Sequence, residues 1–192
     1  YWSDYSYSHL FIASFDGSAV TDAKDIMEGE HFETPDAPYF DENEISWSPD
    51  GKYVAYTSKK LFGKEYSLST NTDIYLYDVT TGQEKNITDG NPGYDKYPVF
   101  SPDSKMIAYS SMKQAGYESD LERLFVYDIA TGDRKWVSEG FDYDVQNFQW
   151  DGNSMIWFSS PYKGTQPIFN ISVPDGKVTR VTGGKNDMGP LS

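Results

Sequence analysis

The chain has 192 residues, enough for a sizeable core, no cysteine, and a net charge of −14. The missing cysteines exclude disulfides and thiolate metal sites, and the acidic balance argues against nucleic acid and anionic membrane surfaces as partners. No apolar run is long enough to cross a membrane as a helix.

In chain order, Leu10-Phe11-Ile12-Ala13 and Val20-Thr21 read as two strands, near 9–14 and 18–22. Strands then follow in sets of four: 43–48, 53–58, 73–79 and 83–88; 97–100, 105–111, 123–129 and 133–138; 145–150, 154–159, 167–173 and 177–182. The apolar runs are short, rich in Val, Ile, Tyr and Phe, and bounded by Gly, Pro and Asp, which is strand punctuation. Helical periodicity is absent, so at most one helical turn is expected, in 23–42 or 112–122. Ile87-Thr88, Val137-Ser138 and Val181-Thr182 mark the last strand of each set.

The sets repeat. Ser48-Pro49-Asp50-Gly51-Lys52 recurs as Ser101-Pro102-Asp103-Ser104-Lys105, and a worn third copy is Trp150-Asp151-Gly152-Asn153-Ser154. A second phrase, Tyr77-Asp78-Val79-Thr80-Thr81-Gly82, recurs as Tyr127-Asp128-Ile129-Ala130-Thr131-Gly132 and Ile171-Ser172-Val173-Pro174-Asp175-Gly176. Asp50 to Asp103 is 53 residues and Gly132 to Gly176 is 44. A period of about 40–50 residues with two tight hairpins per unit is the mark of a β-propeller. In the first phrase Pro presets the turn, Asp bonds nearby backbone, and Gly accepts the left-handed conformation. The predicted fold is therefore all-β: a β-propeller segment of four-stranded antiparallel blades at 43–88, 97–138 and 145–182, plus a half blade at 1–25. Trp47, Phe100 and Trp150 should take equivalent places on the innermost strands, with Phe100 and Trp150 buried between blades. The chain reads as part of one propeller domain of a larger protein; a small complete ring closed by strand exchange is the other reading.

Connections within each hairpin are tight. Those from second to third strand, and from blade to blade, carry the length: 23–42, 59–72, 89–96, 112–122, 139–144 and 160–166. Strands alternate direction, so the long loops share one face, the usual place for function. That face is acidic. Residues 22–44 hold nine carboxylates (Asp22, Asp25, Glu28, Glu30, Glu33, Asp36, Asp41, Glu42, Glu44) against Lys24 alone. This is a solvated loop or a funnel for cationic ligands.

Catalytic motifs are absent. There is no Gly-x-Ser-x-Gly elbow, and His9 and His31 are scattered, without metal-ligand spacing. No metal or cofactor is expected. One cluster, Gln114-Ala115-Gly116-Tyr117-Glu118-Ser119-Asp120-Leu121-Glu122-Arg123, lies on the long-loop face. Tyr117, Glu118 and Asp120 could hold an ammonium group with carboxylates and an aromatic wall. The alternative is a loop tied by an internal Arg123–carboxylate pair.

The runs Trp47-Ser48-Pro49-Asp50-Gly51-Lys52, Asn91-Pro92-Gly93-Tyr94-Asp95, Phe100-Ser101-Pro102-Asp103-Ser104-Lys105, Gly116-Tyr117-Glu118-Ser119-Asp120 and Phe141-Asp142-Tyr143-Asp144-Val145 resemble the propeller of the prolyl oligopeptidase family. The likeness is to the branch of acylaminoacyl peptidases and secreted bacterial dipeptidyl peptidases, and it covers nearly the whole chain. It implies a serine peptidase in which this propeller caps an α/β-hydrolase domain, limits substrates to short peptides and binds their free N-terminus. It also implies a periplasmic or secreted setting. The catalytic domain is not in this sequence, so the expected role is gating and recognition. The rival reading is a TolB-like envelope propeller that docks other proteins without enzymatic activity; the long loops 59–72 and 112–122 favour the peptidase cap.

Overall fold

A computed structural model describes residues 6–36, 41–185, 187 and 188. Residues 1–5 of the expected half blade and 37–40 of the expected first long loop lie outside them. Strands β1 (Phe11–Phe15) and β2 (Val20–Asp25) form a two-stranded antiparallel sheet. Three four-stranded antiparallel sheets follow. The first comprises β3 (Ile45–Trp47), β4 (Tyr53–Ser58), β5 (Asp73–Asp78) and β6 (Glu84–Asn86). The second comprises β7 (Asp95–Phe100), β8 (Met106–Ser111), β9 (Arg123–Asp128) and β10 (Arg134–Trp136). The third comprises β11 (Gln146–Asp151), β12 (Met155–Ser159), β13 (Ile168–Ser172) and β14 (Val178–Arg180). These are the three blades and the half blade that the repeats predict. Trp47, Phe100 and Trp150 do occupy matching register positions, opposite Val54, Ile107 and Ile156.

The turn phrases act as their chemistry dictates. Ser48 Oγ donates to Asp50 Oδ1 at 2.8 Å and accepts the Tyr53 N–H at 2.8 Å. Ser101, Asp103 and Met106 repeat the pattern. In the second phrase Asp78 Oδ1 accepts the N–H groups of Thr80 and Thr81, as Asp128 Oδ1 does from Ala130 and Thr131. Ser104 replaces Gly51 although its φ is +60°. The compensation is a tie between blades: Ser104 Oγ accepts the Asp50 N–H at 3.0 Å, and Asn153 Oδ1 accepts the Asp103 N–H at 3.1 Å. A glycine would relieve the backbone but lose that bond.

The last strands end two residues earlier than predicted, at Asn86, Trp136 and Arg180. The hydroxyls of Thr88, Ser138 and Thr182 take the N–H groups of Ile74, Leu124 and Ile168 in place of a ladder carbonyl. The single α-helix among the described residues, α1 (Gly63–Leu68), lies in the 59–72 loop and not where a turn was expected. Its Phe62 and Leu68 are exposed, so no apolar stripe announced it. A 3₁₀ turn occurs at Glu42–Glu44, where it touches the expected 23–42 range only at Glu42 and takes two residues from the stretch read as strand 43–48.

Cores sit between sheets. Met27, Val54, Tyr56, Tyr75 and Tyr77 join the half blade to the first blade. Ala55, Ile74, Leu76, Phe100 and Ile107 join the first to the second, and Ala108, Leu124, Phe148, Ile156 and Phe158 the second to the third. Second strands are therefore buried on both faces, and β4 and β8 read as continuous rather than alternating runs. Lysines at the sheet edges add clamps: Lys24 Nζ donates to Tyr77 OH at 3.0 Å and Lys85 Nζ to Tyr127 OH at 2.9 Å.

Candidate functional site

The first strands carry the site. β7 and β11 are both bulged, between Lys96 and Val99 and between Gln146 and Gln149. Within the bulges Tyr97 has φ +59° and Asn147 φ +49°. Bulges re-aim side chains, and a bulky residue at positive φ is held there against its own preference. Between the three first strands lies a hollow of about 590 Å³, bordered by Asp41, Ser46, Tyr97, Val99, Glu122 and Gln149 among others. Tyr97, Ser110 and Glu122 also line a second hollow of about 210 Å³, with Tyr94, Lys96, Met112 and Glu118. Tyr97 therefore stands between the two.

The three residues singled out from the sequence have different fates. Glu118 is exposed and lines the smaller hollow. Tyr117 is 50% exposed at the loop surface. Asp120 is buried and turned into its own loop. Its carboxylate receives both Arg123 guanidinium nitrogens at 3.1 Å and the N–H groups of Lys113, Gln114 and Leu121. Burial works against its charge, but Arg123 and the backbone donors outweigh burial and hold the carboxyl at about 2. Asp120 thus shapes the 112–122 loop that presents Glu118, which is the internal Arg123 pairing weighed above. The loop is also tied to its neighbour, since the Gly116 N–H donates to Thr70 Oγ1 at 2.9 Å.

Sequence reasoning missed Lys96 and Tyr97, and placed Glu122 and Glu44 only within the acidic cluster and the acidic segment, without a role of their own. Glu122 Oε2 accepts Gln146 Nε2 at 2.8 Å. Burial raises its pKa against that bond, and Asp144 adds to the rise. Lys96 Nζ lies 3.4 Å from Glu44 Oε1 and 4.8 Å from the centre of the Tyr94 ring. Glu44 is 2% exposed and accepts the Asp36 N–H at 2.8 Å, yet burial still raises its pKa. Burial, then Asp41, Glu44 and Glu122, push the Tyr97 phenol to about 12, so it stays a neutral donor. The available signal was that Lys96-Tyr97 follow the Asn91–Asp95 run directly, and that Glu122 closes the acidic cluster.

The acidic 22–44 segment is partly engaged inside the protein. Asp25 pairs with His9 at 2.7 Å and Glu30 with Lys60 at 2.7 Å. Glu42 and Asp41 border the larger hollow. Among the described residues no group of three metal-ligating side chains occurs, and no helix is long and apolar enough to cross a membrane.

Gly93 seats this region. A Cβ there would overlap the carbonyl oxygen of Met112. Gly93→Ala is expected to lower stability by about 1–3 kcal/mol, the cost of overpacking against backbone. A denaturant midpoint equal to that of the parent chain would show that the 89–94 loop yields freely.

The family signature of the PD40, TolB beta propeller domain matches residues 42–191. The chain is 47% identical, over 96% of its length, to dipeptidyl-peptidase 5 of Porphyromonas gingivalis. It spans about a quarter of the length of such curated relatives, 27% in that case. Among solved structures it resembles an acylaminoacyl peptidase from Pyrococcus horikoshii, with a TM-score of 0.60, 18% identity and coverage of 91% of this chain and 24% of that one. It also resembles TolB from Acinetobacter baumannii, with a TM-score of 0.57, 24% identity and coverage of 96% and 40%. These two likenesses show the fold alone.

Proposed function

This chain belongs to the PD40 family of TolB beta propeller domains, and we propose that it is the substrate-gating, N-terminus-recognising propeller segment of a dipeptidyl or acylaminoacyl serine peptidase. The observation that carries the reading is the 47% identity to a dipeptidyl-peptidase 5 over 96% of the chain. The long 112–122 loop supports it over a TolB-like docking propeller, because its Glu118 and Glu122 put carboxylates at the wall of the smaller hollow.

In this reading the propeller covers an α/β-hydrolase domain of the same protein, which supplies the catalytic serine, acid and histidine. This chain contributes no bond-breaking group. Its role is exclusion and orientation. A short peptide reaches the covered site, and its ammonium end meets Glu118, with Glu122 and the Tyr97 ring beside it; Tyr117 walls the approach and Asp120 holds the loop. The ammonium–carboxylate bond is charge-assisted, and partial burial in the hollow strengthens it relative to water. The setting is periplasmic or secreted.

The test is the full-length protein. It should react with a serine-directed fluorophosphonate probe and release dipeptides from short peptides, with little activity on folded proteins. A full-length sequence lacking a Gly-x-Ser-x-Gly motif, or a purified protein inert to the probe, would leave the TolB-like docking reading in its place.

A further inference from the structure

Asp95 opens β7, one residue before Lys96. It is 1% exposed. Its backbone is bolted to the first blade: the Asp95 N–H donates to the Thr72 carbonyl at 3.0 Å, and Thr72 Oγ1 donates to the Asp95 carbonyl at 3.1 Å. Its Oδ2 accepts Asn91 Nδ2 at 2.9 Å. Its Oδ1 is buried and has no hydrogen-bond partner. An ionised carboxylate with one oxygen unsatisfied is costly inside a protein; a protonated one costs less, because a neutral acid needs less solvation.

The charged and titratable surroundings come from several elements. Asp73 of β5 is itself half-buried, and its charge acts on Asp95. Asp89, in the turn after β6, acts on Asp73. Tyr109 of β8 feels both Asp95 and Arg134 of β10, and Arg134 Nη1 is engaged by the Asp89 carbonyl at 3.0 Å. No ion pair between Asp95 and a cation occurs among the described residues. Hydroxyls of Ser111 and Thr88 lie near the carboxyl and favour its charged form against burial and Asp73, but neither fills Oδ1, and the Thr88 hydroxyl donates to Asp73 Oδ1 at 3.1 Å.

We infer that Asp95 is a proton-controlled latch on the seam between the first two full blades. Protonated, it keeps a neutral, closed seam. Ionised, it places a second negative charge beside Asp73 and loosens the start of the strand that carries Lys96 and Tyr97 into the smaller hollow. The proton comes from solvent, so the latch reads ambient pH. Burial, the largest cause, lifts the carboxyl from 3.8 to about 7, which places the transition near neutrality. A group whose pKa is raised on folding contributes stability that is complete below the unfolded value and lost as pH rises through the folded one. The latch holds fully below the unfolded value of 3.8, its contribution is lost progressively up to about pH 7, and above that it is ionised and contributes nothing further.

The experiment compares the full chain with Asp95→Asn by denaturant unfolding from pH 5 to 9. Groups common to both proteins cancel. The ratio of their folding constants, wild type over variant, should fall about tenfold per pH unit up to about pH 7 and then flatten, with the variant the more stable above it. A ratio independent of pH across this range overturns the inference. Should Asp95→Asn fail to fold, the Asp95 carboxyl carbon can be followed by NMR in the wild-type chain. A titration midpoint near 7 supports the latch, and one below 5 overturns it.

Discussion

Phe100→Ala should lower stability by about 3–5 kcal/mol, the transfer and cavity cost of removing a large ring from a closed core. Phe100 is 6% exposed and lies against Ala55, Ile74 and Leu76 of the preceding blade. Trp150, expected to be buried in the same way, is only half-buried against the next core, with its Nε1 donating to the Val99 carbonyl at 3.0 Å, so Trp150→Ala should cost less than Phe100→Ala. Trp47 occupies the matching position but is 50% exposed, so Trp47→Ala should cost under about 1 kcal/mol. Denaturant titration of the three variants checks the order. A loss below about 1 kcal/mol for Phe100→Ala would mean that the blade seam is not a tight core.

The second large effect concerns Glu118 in the full-length protein. Glu118→Gln should reduce the specificity constant for free-amine dipeptide substrates by about ten- to a hundredfold, the worth of one charge-assisted bond of about 1.5–3 kcal/mol. It should spare N-acylated substrates, which carry no ammonium. Asp120→Asn serves as the contrast. Asp120 anchors the loop through Arg123 and three backbone donors, so its replacement should weaken both substrate classes together and lower the melting temperature. Equal losses on both classes for Glu118→Gln, or none on either, would take Glu118 out of the recognition site.

The strands, their antiparallel order and the three-blade repeat were legible in the residues, because each rests on local chemistry. The Ser-Pro-Asp and Tyr-Asp-x-x-Thr-Gly phrases close hairpins through bonds that span only a few residues. The strand ends were misread by two residues where a side-chain hydroxyl of Thr88, Ser138 or Thr182 replaced a ladder carbonyl, since the dipeptides themselves still look like strand. Helix α1 was missed because it is one short stretch without an apolar face.

The site divides in the same way. Sequence alone determined that a loop carrying Tyr117, Glu118 and Asp120 connects second and third strands and so lies on the long-loop face. Only the tertiary structure decided which carboxylate faces the hollow. Asp120 and Glu118 are two residues apart and chemically alike, but Arg123 and the Lys113 and Gln114 amides capture one and leave the other exposed. Lys96, Tyr97 and Glu122 join the hollow through a bulge and through packing across blades, and Asp95 is buried by the neighbouring blade. Such relations depend on contacts tens of residues apart in the chain, where neither turn chemistry nor strand period carries information.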